Sequence, residues 1–122
     1  MILILGGAYM GKFHYARSQY DISEAFDLET GYPDRECPCF RHLEALTWAE
    51  AQKGTTAQEL FLRLEPYFKN ALVISREVGS GVVPMDKTQR FWRELHGSLL
   101  QLLAKEADSV QRVFCGIPEV LK

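Results

Sequence analysis

The sequence predicts one α/β domain over residues 1–122, built on an open, mostly parallel sheet of about four strands flanked by helices. Two observations predict this fold. Short apolar runs alternate along the chain with longer segments whose apolar residues recur at helical spacing. The first apolar run, Ile2 to Leu5, passes directly into a glycine-rich segment, which is typical of a buried parallel strand. We therefore expect a RecA-like or Rossmann-like sheet, small enough to predict a homo-oligomer.

In the first half of the chain, glycines and turn residues separate the predicted elements. A helix follows the first strand, a weaker strand ends beside two acidic residues, and a turn-rich loop precedes a second helix that ends at Gly54. The predicted bounds are Gly11 to about Tyr20 for the first helix, Ala25 to Leu28 for the strand, 30–38 for the loop, and Cys39 to about Gln52 for the second helix.

In the second half, two capping boxes mark the starts of helices. Thr56 with Glu59 opens one helix, and Asp86 with Gln89 opens another that runs to about Lys105. Their buried stripes are expected at Leu60, Leu64 and Phe68, and at Phe91, Leu95, Leu99 and Leu102. Strands are expected over Ala71 to Ser75 and over Ser109 to Cys115, the latter near a sheet edge because its polarity is mixed.

The composition excludes several classes of protein. A formal net charge of -2 disfavours nucleic acid as a partner. We find no apolar run long enough to cross a bilayer, and the first residues are too short and glycine-rich for a signal peptide. We therefore expect a cytoplasmic protein. Three cysteines, an odd number, argue against a disulfide scaffold.

Residues 6–12 read Gly-Gly-Ala-Tyr-Met-Gly-Lys, the G-x-x-x-x-G-K pattern of a phosphate-binding loop. In such a loop, backbone N–H groups form an anion nest, the following helix contributes positive charge at its N-terminus, and the lysine reaches the phosphates. The next residue usually supplies a hydroxyl to Mg²⁺, but here it is Phe13. The alternative is that a strand-to-helix turn simply needs glycines. The predicted nucleotide-binding residues are Gly6, Gly7, Ala8, Tyr9, Met10, Gly11, Lys12 and Phe13.

Phosphoryl transfer also requires a carboxylate near the metal and a group that positions the attacking hydroxyl. Asp27 and Glu29 end the second predicted strand, and Glu77 follows the third. These carboxylates are expected at the carboxyl edge of the sheet, where open α/β sheets bind ligands. We therefore predict catalytic roles for Lys12, Glu77 and Asp27, and Mg²⁺ ligation by Glu77, Asp27 and Glu29. The alternative is that these are solvated or capping carboxylates.

For the other candidate residues, a structural role is favoured over a functional one. Cys37, Cys39 and His42 form Cys-x-Cys-x-x-His, a set of Zn²⁺-binding side chains whose spacing is not a common zinc pattern. A fourth ligand would have to come from an acidic neighbour or from distant Cys115, so free thiols are expected. Surface or structural roles are expected for His14, Arg90, Arg93 and His96, and core or subunit contacts for Trp48, Tyr67 and Trp92.

Several segments resemble the bifunctional adenosylcobinamide kinase / adenosylcobinamide-phosphate guanylyltransferase family of cobalamin biosynthesis. That family shows GGARSGKS at its start and SNEVGxGIVP after a central strand, and this chain has GGAYMGKF at 6–13 and SREVGSGVVP at 75–84. The family's RxFRDxxGxxNQxLA and ADxVxxVxxGIPxxLK compare with RFWRELHGSLLQLLA at 90–104 and ADSVQRVFCGIPEVLK at 107–122. The C-terminal part of the chain carries the more specific resemblance.

The chain also departs from the family pattern. Family members are longer, and their middle carries a His-Arg-x-x-Arg-Pro-like segment whose histidine takes up the guanylyl group. No such segment is found here, and His42 lacks that context. Phe13 replaces the family's serine, and Arg76 and Leu100 each replace an asparagine. The resemblance therefore implies a shortened relative that has lost guanylyl transfer.

What the resemblance implies is a protein that binds GTP or ATP with Mg²⁺ and phosphorylates the aminopropanol hydroxyl of adenosylcobinamide. Its partners would be the nucleotide and the corrinoid. Two alternatives stay open. Phe13 and the missing middle segment favour a non-catalytic nucleotide- or corrinoid-binding relative. The third hypothesis is an oligomeric interaction protein without a ligand.

Overall fold

The computed structural model describes residues 1–7, 10–78 and 86–122. These residues form six strands and four helices, with a short 3₁₀ turn over Leu28–Thr30. The strands are β1 Ile2–Gly6, β2 Phe26–Asp27, β3 Cys39–Arg41, β4 Leu72–Arg76, β5 Ser109–Phe114 and β6 Ile117–Val120. The helices are α1 Lys12–Tyr20, α2 Leu43–Ala51, α3 Ala57–Phe68 and α4 Lys87–Glu106.

The strands form a single sheet in the order β2-β3-β4-β1-β5-β6. All neighbours pair in parallel except β5 and β6, which are antiparallel. The predicted α/β class is confirmed, but the sheet has six strands and not about four. The parallel strands end at the same edge of the sheet, so the segments that follow β1, β2, β3 and β4 are brought together there.

The strand β3 corrects the helix that we predicted from Cys39 onwards. Phe40 is completely buried and pairs in register with Phe26 on one side and with Val73 on the other. Burial between two neighbouring strands outweighs the local helical pattern, because strand preference depends on the surroundings of each side chain. His42 takes a positive φ of 64°, and α2 begins only at Leu43.

The strand β6 was also not predicted. We expected the segment from Ser109 to close the sheet near its edge, but β6 turns back and forms the edge beside β5. The turn is tight because Cys115 and Gly116 both have positive φ, at 51° and 77°. Two consecutive residues of this kind match the twist of an antiparallel hairpin.

Both predicted helix starts are confirmed. Thr56 accepts a hydrogen bond from the Glu59 N–H, and the Glu59 carboxylate accepts one from the Thr56 N–H. Asp86 accepts from the backbone N–H groups of Thr88 and Gln89. The buried stripe of α3 is Leu60, Leu64 and Phe68, as predicted. In α4 it consists of Leu95, His96, Leu99 and Leu103, so Leu103 replaces Leu102 and Phe91 is exposed.

Helices cover both faces of the sheet. One face packs against α2, α3 and α4 and contains the larger apolar core, including the rings of Phe40 and Phe68 with centroids 5.1 Å apart. The other face packs against α1 through Ala16, together with Ile4 and Ile74. Within the described residues we find no helix that is both long and apolar enough to cross a membrane.

Candidate functional site

A cavity of about 830 Å³ opens at the carboxyl edge of the sheet. It lies between the start of α1, the ends of β3 and β4, and the inner sides of α2 and α4. Both charged and aromatic side chains line it. They include Lys12, Phe13, His14, Glu29, Arg41, His42, Glu44, Trp48, Arg76, Gln89 and Trp92.

The glycine-rich loop after β1 borders this cavity. A Cβ on Gly6 would lie 2.6 Å from the carbonyl oxygen of Val113, so this position accepts only glycine beside β5. Gly11 has a φ of +82°, and a Cβ there would lie 3.4 Å from the Cα of Gly116. The Met10 carbonyl accepts a hydrogen bond from the Gly116 N–H at 2.9 Å. Of the predicted nucleotide-binding residues, Ala8 and Tyr9 lie outside the described residues.

Lys12 begins α1 and lines the cavity. Its Nζ donates a hydrogen bond to the Gly7 carbonyl at 2.7 Å, which folds the side chain back over the loop. Burial lowers the pKa of Lys12, and the charge of Glu44 offsets part of this effect. The ammonium therefore lies in a partly desolvated environment, where an anion would stabilise it.

Glu44 is a buried carboxylate that sequence reasoning missed. It lies in the first turn of α2 with only 7% of its surface exposed. Its Oε1 accepts a hydrogen bond from the Arg76 N–H at 3.0 Å, and its Oε2 is buried without a partner among the described residues. A buried carboxylate oxygen with no partner is unfavourable unless a ligand completes it. Glu44 was missed because the helix wrongly predicted from Cys39 placed it in mid-helix. In the structure it lies in the first turn of α2, shortly after the end of β3.

A buried hydrogen-bond chain links α2, α4 and the end of β4 behind Glu44. The Trp92 Nε1–H donates to the Thr47 hydroxyl at 2.9 Å, and that hydroxyl lies 2.8 Å from His96 Nδ1. His96 Nε2 lies 3.0 Å from the Arg76 carbonyl, which fixes Nε2 as the protonated nitrogen. His96, for which we expected a surface or structural role, is completely buried, and burial lowers its pKa to about 4.

Phe13 and Arg41 form a contact at the position where a phosphate-binding loop usually holds its metal. The guanidinium carbon of Arg41 lies 3.8 Å from the centre of the Phe13 ring. A Mg²⁺ ion in this position would normally use a side-chain oxygen of the residue after the lysine. Phe13 has no such oxygen, and a guanidinium occupies the adjacent space. The residues at this position therefore do not fit a metal ion.

The predicted metal ligands Asp27 and Glu29 lie together, with His42 in place of Glu77. The ligand atoms of Asp27, Glu29 and His42 all lie within 4.8 Å of one another. Asp27 Oδ1 is 2.8 Å from His42 Nδ1. Burial raises the pKa of Asp27, but hydrogen bonds from the Glu29 N–H and the His42 ring lower it more, so the carboxyl pKa is below its usual value. Glu29 and His42 line the cavity.

Glu77 lies apart from that group. Its carboxylate forms an ion pair with the Arg112 guanidinium at 2.8 Å, and it is not among the cavity-lining residues. The side chains of the Cys-x-Cys-x-x-His pattern are also divided, and the cysteines are free thiols, as expected. Cys39 is buried within β3, where desolvation raises its thiol pKa to about 12, whereas His42 bonds to Asp27. Arg90 is exposed near the start of α4.

Comparison with known proteins gives one finding about the family. Residues 39–121, more than half of the chain, match the family described as cobinamide kinase / cobinamide phosphate guanyltransferase. The matched region includes Arg41, Glu44 and the whole of α2, α3 and α4, and it begins after the glycine-rich loop. A search of curated proteins found no match.

Proposed function

Because the chain belongs to the cobinamide kinase / cobinamide phosphate guanyltransferase family, we propose that it binds GTP or ATP and transfers the terminal phosphoryl group to a cobinamide hydroxyl. The observation that carries this proposal is the presence of Lys12 and the buried carboxylate of Glu44 in one cavity. The first group suits a phosphate, and the second suits an attacking hydroxyl.

Phosphate binding is supported by two features of the loop and by the volume of the cavity. Gly11 has a left-handed conformation that suits the entry into α1, and the first N–H groups of α1 have no partner within the helix. The Lys12 ammonium is partly desolvated. The cavity volume also lies within the range of small-molecule sites, about 300–1,000 Å³. These features suit the triphosphate of GTP or ATP.

The proposed transfer step uses Glu44 as the base. The cobinamide hydroxyl oxygen attacks the terminal phosphorus, and a new P–O bond forms as the bond to the nucleoside diphosphate breaks. The hydroxyl proton passes to Glu44 Oε2, the carboxylate oxygen that lacks a protein partner. Lys12 stabilises the charge on the departing diphosphate.

Calorimetric titration with GTP and with ATP tests nucleotide binding. Replacing Lys12 with Ala should abolish the binding heat, because the variant lacks the cation at the loop. Lys105→Ala, which removes an ammonium from the last turn of α4, is the matched control and should bind normally. Unchanged affinity in the Lys12 variant would exclude this loop as the phosphate site.

A second candidate function, guanylyl transfer, is favoured by the Asp27–His42 pair. With Nδ1 donating to the Asp27 carboxylate, His42 keeps the lone pair on Nε2, the form that a nucleophilic histidine needs. His42 lacks the family's sequence context, and the observation that supports a role for it is that it lines the cavity. In this step Nε2 attacks the α-phosphorus of GTP, and an N–P bond forms as the bond to the departing pyrophosphate breaks. Incubation with GTP labelled at its α-phosphate should then yield an acid-labile adduct that is absent from His42→Asn. Lack of label in the wild-type protein would reject this second function.

A further inference from the structure

We propose that Arg41 takes the place of the metal ion, so that the cavity binds the phosphates of its ligand without Mg²⁺. The proposal rests on the proposed nucleotide-binding function and concerns how the same site recognises its ligand. It assigns phosphate recognition to two side-chain cations, Lys12 and Arg41, that line one cavity.

The position of Arg41 follows from the fold. Phe13 directly follows Lys12 in the first turn of α1, and Arg41 is the last residue of β3. Because β3 lies two strands from β1 in a parallel sheet, its carboxyl end opens on the same edge as the loop. The guanidinium lies over the Phe13 ring at 3.8 Å, well inside the distance of about 6 Å for a cation–π contact.

This contact orients the guanidinium, and Asp27, the register partner of Arg41 on β2, supplies a nearby negative charge. Within residues 1–7, 10–78 and 86–122, Arg41 forms no ion pair, and its buried Nε has no hydrogen-bond partner. A buried N–H donor without a partner is unfavourable. An oxyanion would satisfy it, since guanidinium groups bind phosphate oxygens through directed hydrogen bonds. The Arg41 guanidinium, whose Nε–H lacks a partner among the described residues, is therefore suited to a phosphate group bound beside Lys12.

The same arrangement disfavours a divalent cation beside Phe13. A metal ion there would gain no oxygen from the ring and would lie next to the positive charge of Arg41. Lys12 and Arg76 add two further cations to the cavity wall. The aromatic ring of Phe13 and the arginine that lies over it are thus consistent with each other. The ring takes the place of the usual hydroxyl, and it supports the cation that replaces the metal.

Carboxylates on the cavity wall, Glu29 and Glu44, and the adjacent Asp27 offer a competing site for a metal. Glu44 has one oxygen without a partner among the described residues, and Asp27, Glu29 and His42 bring three ligand atoms together. A nucleotide-bound Mg²⁺ held by either group would make binding depend on the metal. The experiment must therefore separate dependence on Arg41 from dependence on Mg²⁺.

The test is calorimetric titration of the full chain with GTP, ATP and inorganic triphosphate, each in EDTA and in Mg²⁺. We expect binding in EDTA, with the affinity reduced about tenfold to a hundredfold in Arg41→Gln, as for loss of hydrogen bonds to a charged group. Arg35→Gln is the matched control, because Arg35 also stacks on a phenylalanine, Phe26 at 5.3 Å, but does not line the cavity. Its affinity should be unchanged.

Two further variants keep the test decisive if Arg41→Gln folds poorly. Arg41→Lys retains the charge without the planar group, so it should keep part of the affinity in EDTA. The double variant Phe13→Ser with Arg41→Asp restores two oxygen ligands, and its nucleotide binding should become dependent on Mg²⁺.

Each remaining outcome has a separate meaning. Binding that requires Mg²⁺ and is unaffected by Arg41→Gln overturns this inference but leaves the proposed function standing. If the Mg²⁺-dependent binding is lost in the double variant Asp27→Asn with Glu29→Gln, the metal lies at the group formed by Asp27, Glu29 and His42. Absence of binding to all three ligands in both buffers rejects the proposed function and this inference together.

Discussion

The carboxylate of Glu44 accepts a hydrogen bond at 3.0 Å from the backbone N–H of Arg76, which joins the first turn of α2 to the last residue of β4. The carbonyl of the same residue accepts a hydrogen bond from His96 on α4, also at 3.0 Å. Both backbone polar groups of Arg76 are therefore bound by side chains from two helices. This arrangement fixes the strand end that forms one wall of the cavity.

Replacing Glu44 with Gln should separate its structural role from its chemical one. The amide oxygen can still accept from the Arg76 N–H, so we expect the free energy of unfolding to change by less than about 1 kcal/mol. The base is lost, so phosphoryl transfer to cobinamide should fall about 10²- to 10⁴-fold. Urea unfolding and a cobinamide phosphorylation assay measure the two effects.

The control for this variant is Glu65→Gln, which removes an exposed carboxylate from α3. It should leave both quantities unchanged. A transfer rate that is the same in Glu44→Gln as in the wild type would show that Glu44 is not the base.

The stability of the fold should decrease as the pH falls from about 6.5 to about 4, because of His96. Burial lowers the pKa of His96 to about 4 in the folded chain, whereas the unfolded chain has a value near 6.5. The unfolded state therefore takes up the proton first, and stabilisation that is fully present above pH 6.5 is lost through this window. The expected loss is about 3 kcal/mol, measured by urea unfolding at several pH values.

A variant His96→Gln provides the comparison, since it lacks the titrating group. Its unfolding free energy should vary less with pH over the same window, even if it is less stable at pH 7. An equal slope in the two proteins would assign the pH dependence to other groups.

Two glycines should respond to alanine in opposite directions. Gly6→Ala places a methyl group 2.6 Å from the Val113 carbonyl oxygen, so β1 or β5 must shift, at a cost of about 1–3 kcal/mol. Gly97 lies within α4 with no atom near its added Cβ, and Gly97→Ala should stabilise the protein by about 0.5–1 kcal/mol. Thermal unfolding of both variants tests the pair, and the prediction fails if Gly6→Ala is as stable as the wild type.

Two leucines on α3 should differ sharply although they are only two positions apart. Leu64 is completely buried in the larger core, and Leu62 is 69% exposed. Leu64→Ala should cost about 2–5 kcal/mol, whereas Leu62→Ala should stay within about 0.5 kcal/mol of the wild type. Similar losses in both variants, measured by urea unfolding, would contradict the burial of this helix face.

The fold could be predicted where a local signal and tertiary packing agree. The capping box at Thr56, the N-cap at Asp86 and the stripe of α3 are local patterns, and the structure confirms them. The strand β3 could not be predicted, because Cys39 and Phe40 take an extended conformation only through pairing with strands distant in sequence. In α4, Leu95 and Leu99 are buried as predicted, whereas the burial of His96 was not expected because its partners lie on α2 and β4.

By itself the sequence determined the α/β alternation, the glycine-rich loop with Lys12, and the substitution of Phe13 for a metal ligand, because each is a pattern of neighbouring residues. Only the tertiary structure decided which distant side chains meet at that loop. Parallel pairing brings the ends of β3 and β4 to one edge, and this places Arg41 on Phe13 and Glu44 against Arg76. The same sheet leaves Glu77, directly after β4, paired with Arg112 on β5, although β1 lies between these two strands. Contacts across a sheet depend on strand order and not on sequence distance.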